Sequence, residues 1–206
     1  MHRIIWSILV VCFVLTAVTV LYVNKYKKTP EIDKVQVSRL LPEYDLEALT
    51  NDAELIVSGV VGKISQPKWN NKDDKKPNPL TGSDTIYADV TISVNDVIKE
   101  TEPCGDVVEV RVFEGIADDF MVEDSSQPKF NTGDVVTVFL INDNTLYNKN
   151  KTADHFIILG GVQGAFKLGK DELGNGNEKF EASEFKRKIQ KYLQNPKPKT
   201  NVISEE

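Results

Sequence analysis

Hydrophobic and polar positions follow three regimes along this chain. From Ile4 to Val23, 20 residues pass without a charge, most of them Ile, Val and Leu. A helix rising about 1.5 Å per residue carries such a run across about 30 Å, the thickness of a bilayer's hydrocarbon core. Trp6 near one end and Tyr22 and Tyr26 near the other stand where aromatic rings settle at membrane interfaces. Hydrophobicity all round, rather than on one stripe, argues against a helix packed on a soluble core. The run is read as an uncleaved anchor, with residues 1–28 as its unit. A cleaved signal peptide is the competing reading. Its cut after Ala17 would leave Leu15 where a small residue is preferred, and the apolar run continues to Val23. Lipid attachment at Cys12 would need a small residue where Val11 stands.

Residues 29–42 are mixed and polar, bounded by Pro30 and Pro42, and read as a linker. Leu46, Leu49 and Ala53 then fall at helical spacing, which predicts a short helix or turn over Asp45–Asp52. Beyond it the period becomes two. Leu55–Ile64 is a β-branched run in which Gly59 and Gly62 mark a bend or the close approach of another backbone. Along Ile86–Ile98, Ile86, Ala88, Val90, Ile92, Val94 and Ile98 share one face, broken only by Asp96. Tyr87, Asp89, Thr91, Ser93 and Asn95 share the other. Val107–Phe113 alternates in the same way, and Val135–Ile141 is apolar on both faces, as a covered strand would be. Two further strands are predicted at His155–Leu159 and Val162–Leu168, separated by a tight turn at Gly160-Gly161.

Near the end the period returns to helical. Phe185, Ile189, Tyr192 and Leu193 form a stripe over Glu184–Leu193, with Ser183 as the predicted cap and Asn195-Pro196 as the stop. Two long segments, 65–85 and 114–132, read as loops. Strands at short spacing without intervening helices predict a mainly β fold: a transmembrane helix, then a small antiparallel barrel or sandwich with a C-terminal helix. The barrel domain is assigned to residues 43–195 and a disordered tail to 196–206.

Five segments together carry a resemblance: the run Ala53–Val61, the strand at 86–98, Phe113-Glu114-Gly115, Gly133–Leu140 and Gly160-Gly161-Val162-Gln163-Gly164. They resemble membrane-anchored extracytoplasmic bacterial proteins without an assigned activity, whose barrel is similar to the OB-type fold of netrin and metalloprotease-inhibitor domains. The likeness covers roughly residues 50–168 and implies a fold. The inhibitors of that fold reach zinc through a free N-terminal cysteine. Here the domain holds only Cys104, so that activity does not carry over.

Charge divides the chain as hydropathy does. The whole has a formal charge of −6, yet residues 1–30 hold four basic and no acidic side chains, and residues 31–206 hold 21 basic against 31 acidic, a charge of −10. An acidic barrel repels a phosphodiester backbone, so no nucleic-acid partner is expected. The basic cluster Lys186-Arg187-Lys188 reads first as a solvated helix face, with anionic lipid or wall polymer as the alternative.

Catalytic chemistry has few residues to draw on. His155 is the domain's lone histidine, no Gly-x-Ser-x-Gly elbow accompanies it, and it reads as a surface or strand-edge residue. Cys104 reads as an unpaired turn cysteine. One cysteine and one histidine cannot fill a zinc site. Calcium would need hard oxygen donors, for which Asp118, Asp119, Glu123 and Asp124 are the candidates, with Asp171–Glu178 a second acidic run better read as a Gly/Asn turn. The Gly160–Gly164 run opens an apolar strand rather than a helix, unlike a phosphate loop.

These readings give a single-pass, membrane-tethered extracytoplasmic binding or assembly module of the cell envelope. The expected partners are the bilayer, through Ile4 to Val23, and an envelope protein or wall polymer. No catalytic activity and no cofactor are expected. The alternatives are an enzyme or calcium-dependent module using the acidic loop residues, and a tethered domain facing the cytoplasm. Lys25, Lys27 and Lys28 favour the cytoplasmic placement by the positive-inside rule. Scarcity of cysteine and translocation by an N-terminal apolar run favour the outside.

Overall fold

A computed structural model describes residues 32–82, 84–101, 104–143 and 155–198. The apolar run Ile4–Val23 lies outside them. Among the described residues no helix is long and apolar enough to cross a membrane. The chain divides into a unit Met1–Asp33 and a unit Lys34–Glu206, and the fold is that of the second.

The elements follow in the order β1 (Asp33–Val37), α1 (Leu46–Asp52), β2 (Leu55–Ile64), β3 (Lys68–Trp69), β4 (Ile86–Glu100), β5 (Val107–Val112), β6 (Gly115–Ala117) and β7 (Phe120–Asp124). Then come β8 (Val135–Asn142), β9 (Phe156–Ile158), β10 (Ala165–Leu168), β11 (Glu172–Gly174), β12 (Lys179–Glu181) and α2 (Ala182–Gln194). Strands β8, β2, β4, β5 and β9 pair in that order, and β9 returns to β8, closing a small five-stranded barrel consistent with an OB-like fold. The closing contact is parallel, Val110 of β5 lying beside Phe156 of β9.

Alternation fills the barrel. Val57, Val61, Val90, Ile92, Val110, Val138 and Leu140 turn inward and are almost completely buried. All but Leu140 are β-branched, and such stiff side chains suit a narrow, twisted interior. The opposite face of β2 and β8 is also apolar, because Ile56 and Phe139 pack outward against α1, α2 and the β10–β12 extension, in a second core with Leu49, Phe166, Phe185 and Ile189. This explains why the β8 sequence has no polar face at Phe139. A third cluster gathers Trp69, Ile86, Ala117 and Val122 beneath the sheet β1-β7-β6.

The expected face of β4 changes part-way along. Ile56 pairs with Lys99 but Val57 with Val97, and Ser58 with Asp96 but Gly59 with Val94, so Ile98 and Asn95 are extra residues on β4. The two bulges explain the break at Asp96. They turn Ile98 away from the row of Ile86–Val94 and into the helix-side core. A Cβ on Gly59 would lie 2.2 Å from the Ser93 carbonyl oxygen, so glycine is required where the bulged strand closes on β2. Tyr87, expected on the wet face, is buried. The pairing of Lys68 in β3 beside it, and the Arg111 side chain over its ring, cover it.

Four other expectations are corrected. The segments 65–85 and 114–132 are not open loops: the first contains β3 and the second the antiparallel pair β6–β7. Residues 33–37 of the expected linker form β1, which pairs with β7. Val162 lies in a 3-10 turn, Gly161–Gly164, because its amide donates to the Ser126 carbonyl and both Gly160 and Gly161 are left-handed. Ser183 does not cap α2, which starts two residues earlier than expected, at Ala182. Its start is set by β12, which pairs with β11 and runs directly into the helix. α1 begins as expected at Asp45, whose carboxylate accepts from the Ala48 amide.

Candidate functional site

With the barrel interior filled, open space lies outside it. The segment after β2 leaves the barrel, pairs briefly as β3 along β4, and is knit by Asn71, whose side-chain oxygen accepts from the amides of Asp73 and Lys75. The segment after β5 folds back as β6–β7 and packs beside β3 and β4. Between them is a cleft of about 480 Å³ walled by Pro67, Lys68, Trp69, Asp74, Ile116 and Asp118.

Trp69 fixes the two walls together. Its ring is buried against Phe120, centroids 5.4 Å apart, and its Nε1 donates to Asp118 Oδ2 at 2.9 Å. Asp118 can face it because the residue is left-handed, φ 55°, at the turn between β6 and β7. Short polar Asp tolerates that conformation better than most side chains. Ile116 is 44 % exposed at the mouth.

Behind the β3 wall lies a chain of charges. Arg111 in β5 grips both carboxylate oxygens of Asp89 in β4, at 2.8 and 3.0 Å, and its guanidinium carbon sits 3.7 Å from the Tyr87 ring centroid. The arginine side chain is 2 % exposed. The Tyr87 hydroxyl donates to Asp74 at 3.3 Å, and Lys68 donates to the other oxygen of the same carboxylate at 3.2 Å. Burial pushes the Tyr87 phenol up, with Arg111 opposing, while the hydrogen bond to Asp74 raises Lys68. The bidentate, stacked geometry is one that arginine fills and lysine cannot.

The four acidic candidates are held apart in separate pairings. Asp118 takes the indole, Asp119 pairs with Lys76 at 2.6 Å, and Glu123 pairs with Lys34 of β1 at 2.8 Å. Asp124 is buried beside Arg39 and accepts from Ser126. The hydrogen bonds from Lys76 and Lys34 hold Asp119 and Glu123 below the ordinary carboxylate range. Glu114 is pushed up by burial, against the pull of Lys129. Among the described residues no group of three or more His, Cys, Asp and Glu side chains is arranged to hold a metal.

His155 is not at the surface. It is buried before β9, with its Nε2 2.8 Å from the equally buried Asp143 Oδ2 at the end of β8. Cys104 is free and half-buried, packed on the barrel core. The Asp171–Glu178 run forms β11 and the turn that leads into β12, in which Asn175 accepts from the amides of Asn177 and Glu178.

The cleft offers Pro67 and Ile116 for an apolar group and Lys68, Asp74 and Asp118 at its sides for polar ones. Such a mixture suits reversible binding of a side chain or short segment. Comparison with known proteins finds no family model that matches the chain and no curated protein that matches it.

Proposed function

We propose that this protein is a membrane-tethered, extracytoplasmic binding or assembly module of the cell envelope that holds an envelope protein through the cleft between β3 and β6. One observation carries the reading. The two segments too long for simple connections fold against each other outside a filled barrel, pinned by Trp69 and Asp118, and so build a recognition surface on a rigid scaffold. The tether rests on the length and all-round hydrophobicity of Ile4–Val23.

Placement is tested on intact cells with an impermeant thiol reagent, using Cys104. Labelling before lysis, with the chain in the membrane fraction, is expected. Labelling that occurs only after lysis, with full reactivity of the same thiol in the folded purified chain, overturns the outward placement. Binding is tested by photo-crosslinking from position 116 at the mouth of the cleft. A discrete adduct is expected, and its absence counts against the cleft.

A further inference from the structure

The charge of the domain is not spread evenly over its surface. Residues 186–198, the later part of α2 and the segment after it, hold five basic and no acidic side chains, leaving 16 basic against 31 acidic in the rest of residues 31–206. The helix buries Phe185 and Ile189 and exposes Arg187, Gln190, Lys191 and Gln194 along one stripe. Lys186 pairs with Asp96, Lys188 with Glu184 and Lys197 with Glu47. Among the described residues no ion pair engages Arg187 or Lys191, which flank a shallow groove of about 390 Å³. The nearby carboxylates are thus occupied by their own lysines, and the outward stripe is positive.

We propose that this face of α2 docks on anionic lipid headgroups. Charge complementarity selects an anionic partner. Broad, shallow exposure suits a headgroup layer better than a small ligand that must be enclosed. The proposal rests on the tethered reading, which makes a bilayer the nearest extended anionic surface and raises its effective concentration. Screening confines the attraction to charges within about 8 Å of the surface at physiological salt, so the acidic remainder of the domain is repelled while the basic stripe is held. The consequence is a preferred orientation of the domain, α2 toward the lipid.

The test uses the full chain with a fluorescent amino acid in place of Gln190 and, as control, in place of Asn131, each mixed with vesicles of brominated phosphatidylcholine alone or with about one-third phosphatidylglycerol. Quenching at position 190 is expected to be roughly threefold greater on the anionic vesicles, to be lost in high salt, and to be lost in the R187E/K191E variant, with position 131 unchanged throughout. Equal quenching on both vesicle types, or quenching insensitive to the charge reversal, overturns the proposal. Flotation of the chain with neutral vesicles separately scores the apolar segment. If flotation fails there, the tether reading fails alone, and flotation with anionic vesicles that is lost in R187E/K191E still supports the helix contact.

Discussion

The side-chain amide of Gln163 binds the backbone of Tyr44 across 119 positions of sequence: its oxygen accepts the Tyr44 amide at 2.9 Å, and its nitrogen donates to the Pro42 carbonyl at 2.9 Å. The same residue's carbonyl accepts from Asn175. Gln163 therefore fastens the segment that enters the barrel domain to the turn beside β10. Gln163→Ala leaves the buried Tyr44 amide without its partner and is expected to cost about 1–3 kcal/mol. Urea denaturation measures it, and amide exchange should show faster exchange at Tyr44.

Two glycines separate conformational strain from collision. Gly161 has φ 58°, and a Cβ there would lie 2.2 Å from the Ser126 carbonyl oxygen. Gly133 has φ 91° with nothing within 4 Å. Gly161→Ala is expected to destabilise by roughly 3 kcal/mol or more and Gly133→Ala by about 1–2 kcal/mol, read by thermal melting.

The buried pair Asp89–Arg111 makes a further contrast. Arg111→Ala leaves the Asp89 carboxylate, 19 % exposed, without its arginine partner and is expected to cost about 3–5 kcal/mol. Replacing both, with Arg111→Met and Asp89→Leu, should recover most of that loss, because hydrophobic side chains of similar volume substitute well for a buried pair. A double-mutant cycle in urea measures the coupling.

Glu178 is a source of pH dependence with an unusual sign. Burial first, then the neighbouring Asp45 charge, push its carboxyl above the ordinary 4.5, and its Oε2 is buried without a hydrogen-bond partner. A carboxyl whose folded pKa is raised is penalised when ionised. The penalty is absent below the unfolded value and complete once pH exceeds the folded one. Glu178→Gln is expected to raise the melting temperature at pH 7 by about 1–3 °C and to give no gain near pH 3.5.

Period and turn residues made much of this fold legible. The β2 and α1 boundaries, the two-faced β8 and the role of Gly59 follow from local pattern, because burial and backbone sterics act on neighbours in sequence. The cleft does not. Trp69 and Asp118 stand 49 positions apart, and nothing in a run of polar residues shows that both segments fold back on the same wall. Asp89 and Arg111 each sit on an outward row, and their opposite signs hint at pairing. Only the register, Asp89 beside Arg111, makes them partners, and a register between two strands is not written in either strand alone. The burial of His155 was hidden for a like reason, since its partner Asp143 stands 12 positions away, just past the end of β8.

The claim that the β3–β6 cleft holds a partner is tested most directly by comparing crosslinking from two positions of the full chain in intact cells: Ile116 at the cleft and Lys170, exposed in the β10–β11 turn. A discrete adduct from position 116, none from position 170, and loss of the adduct when Asp118→Ala removes the acceptor of the Trp69 indole would bear the account out. Equal adducts from both positions, or an adduct at 116 that Asp118→Ala leaves unchanged, would contradict it.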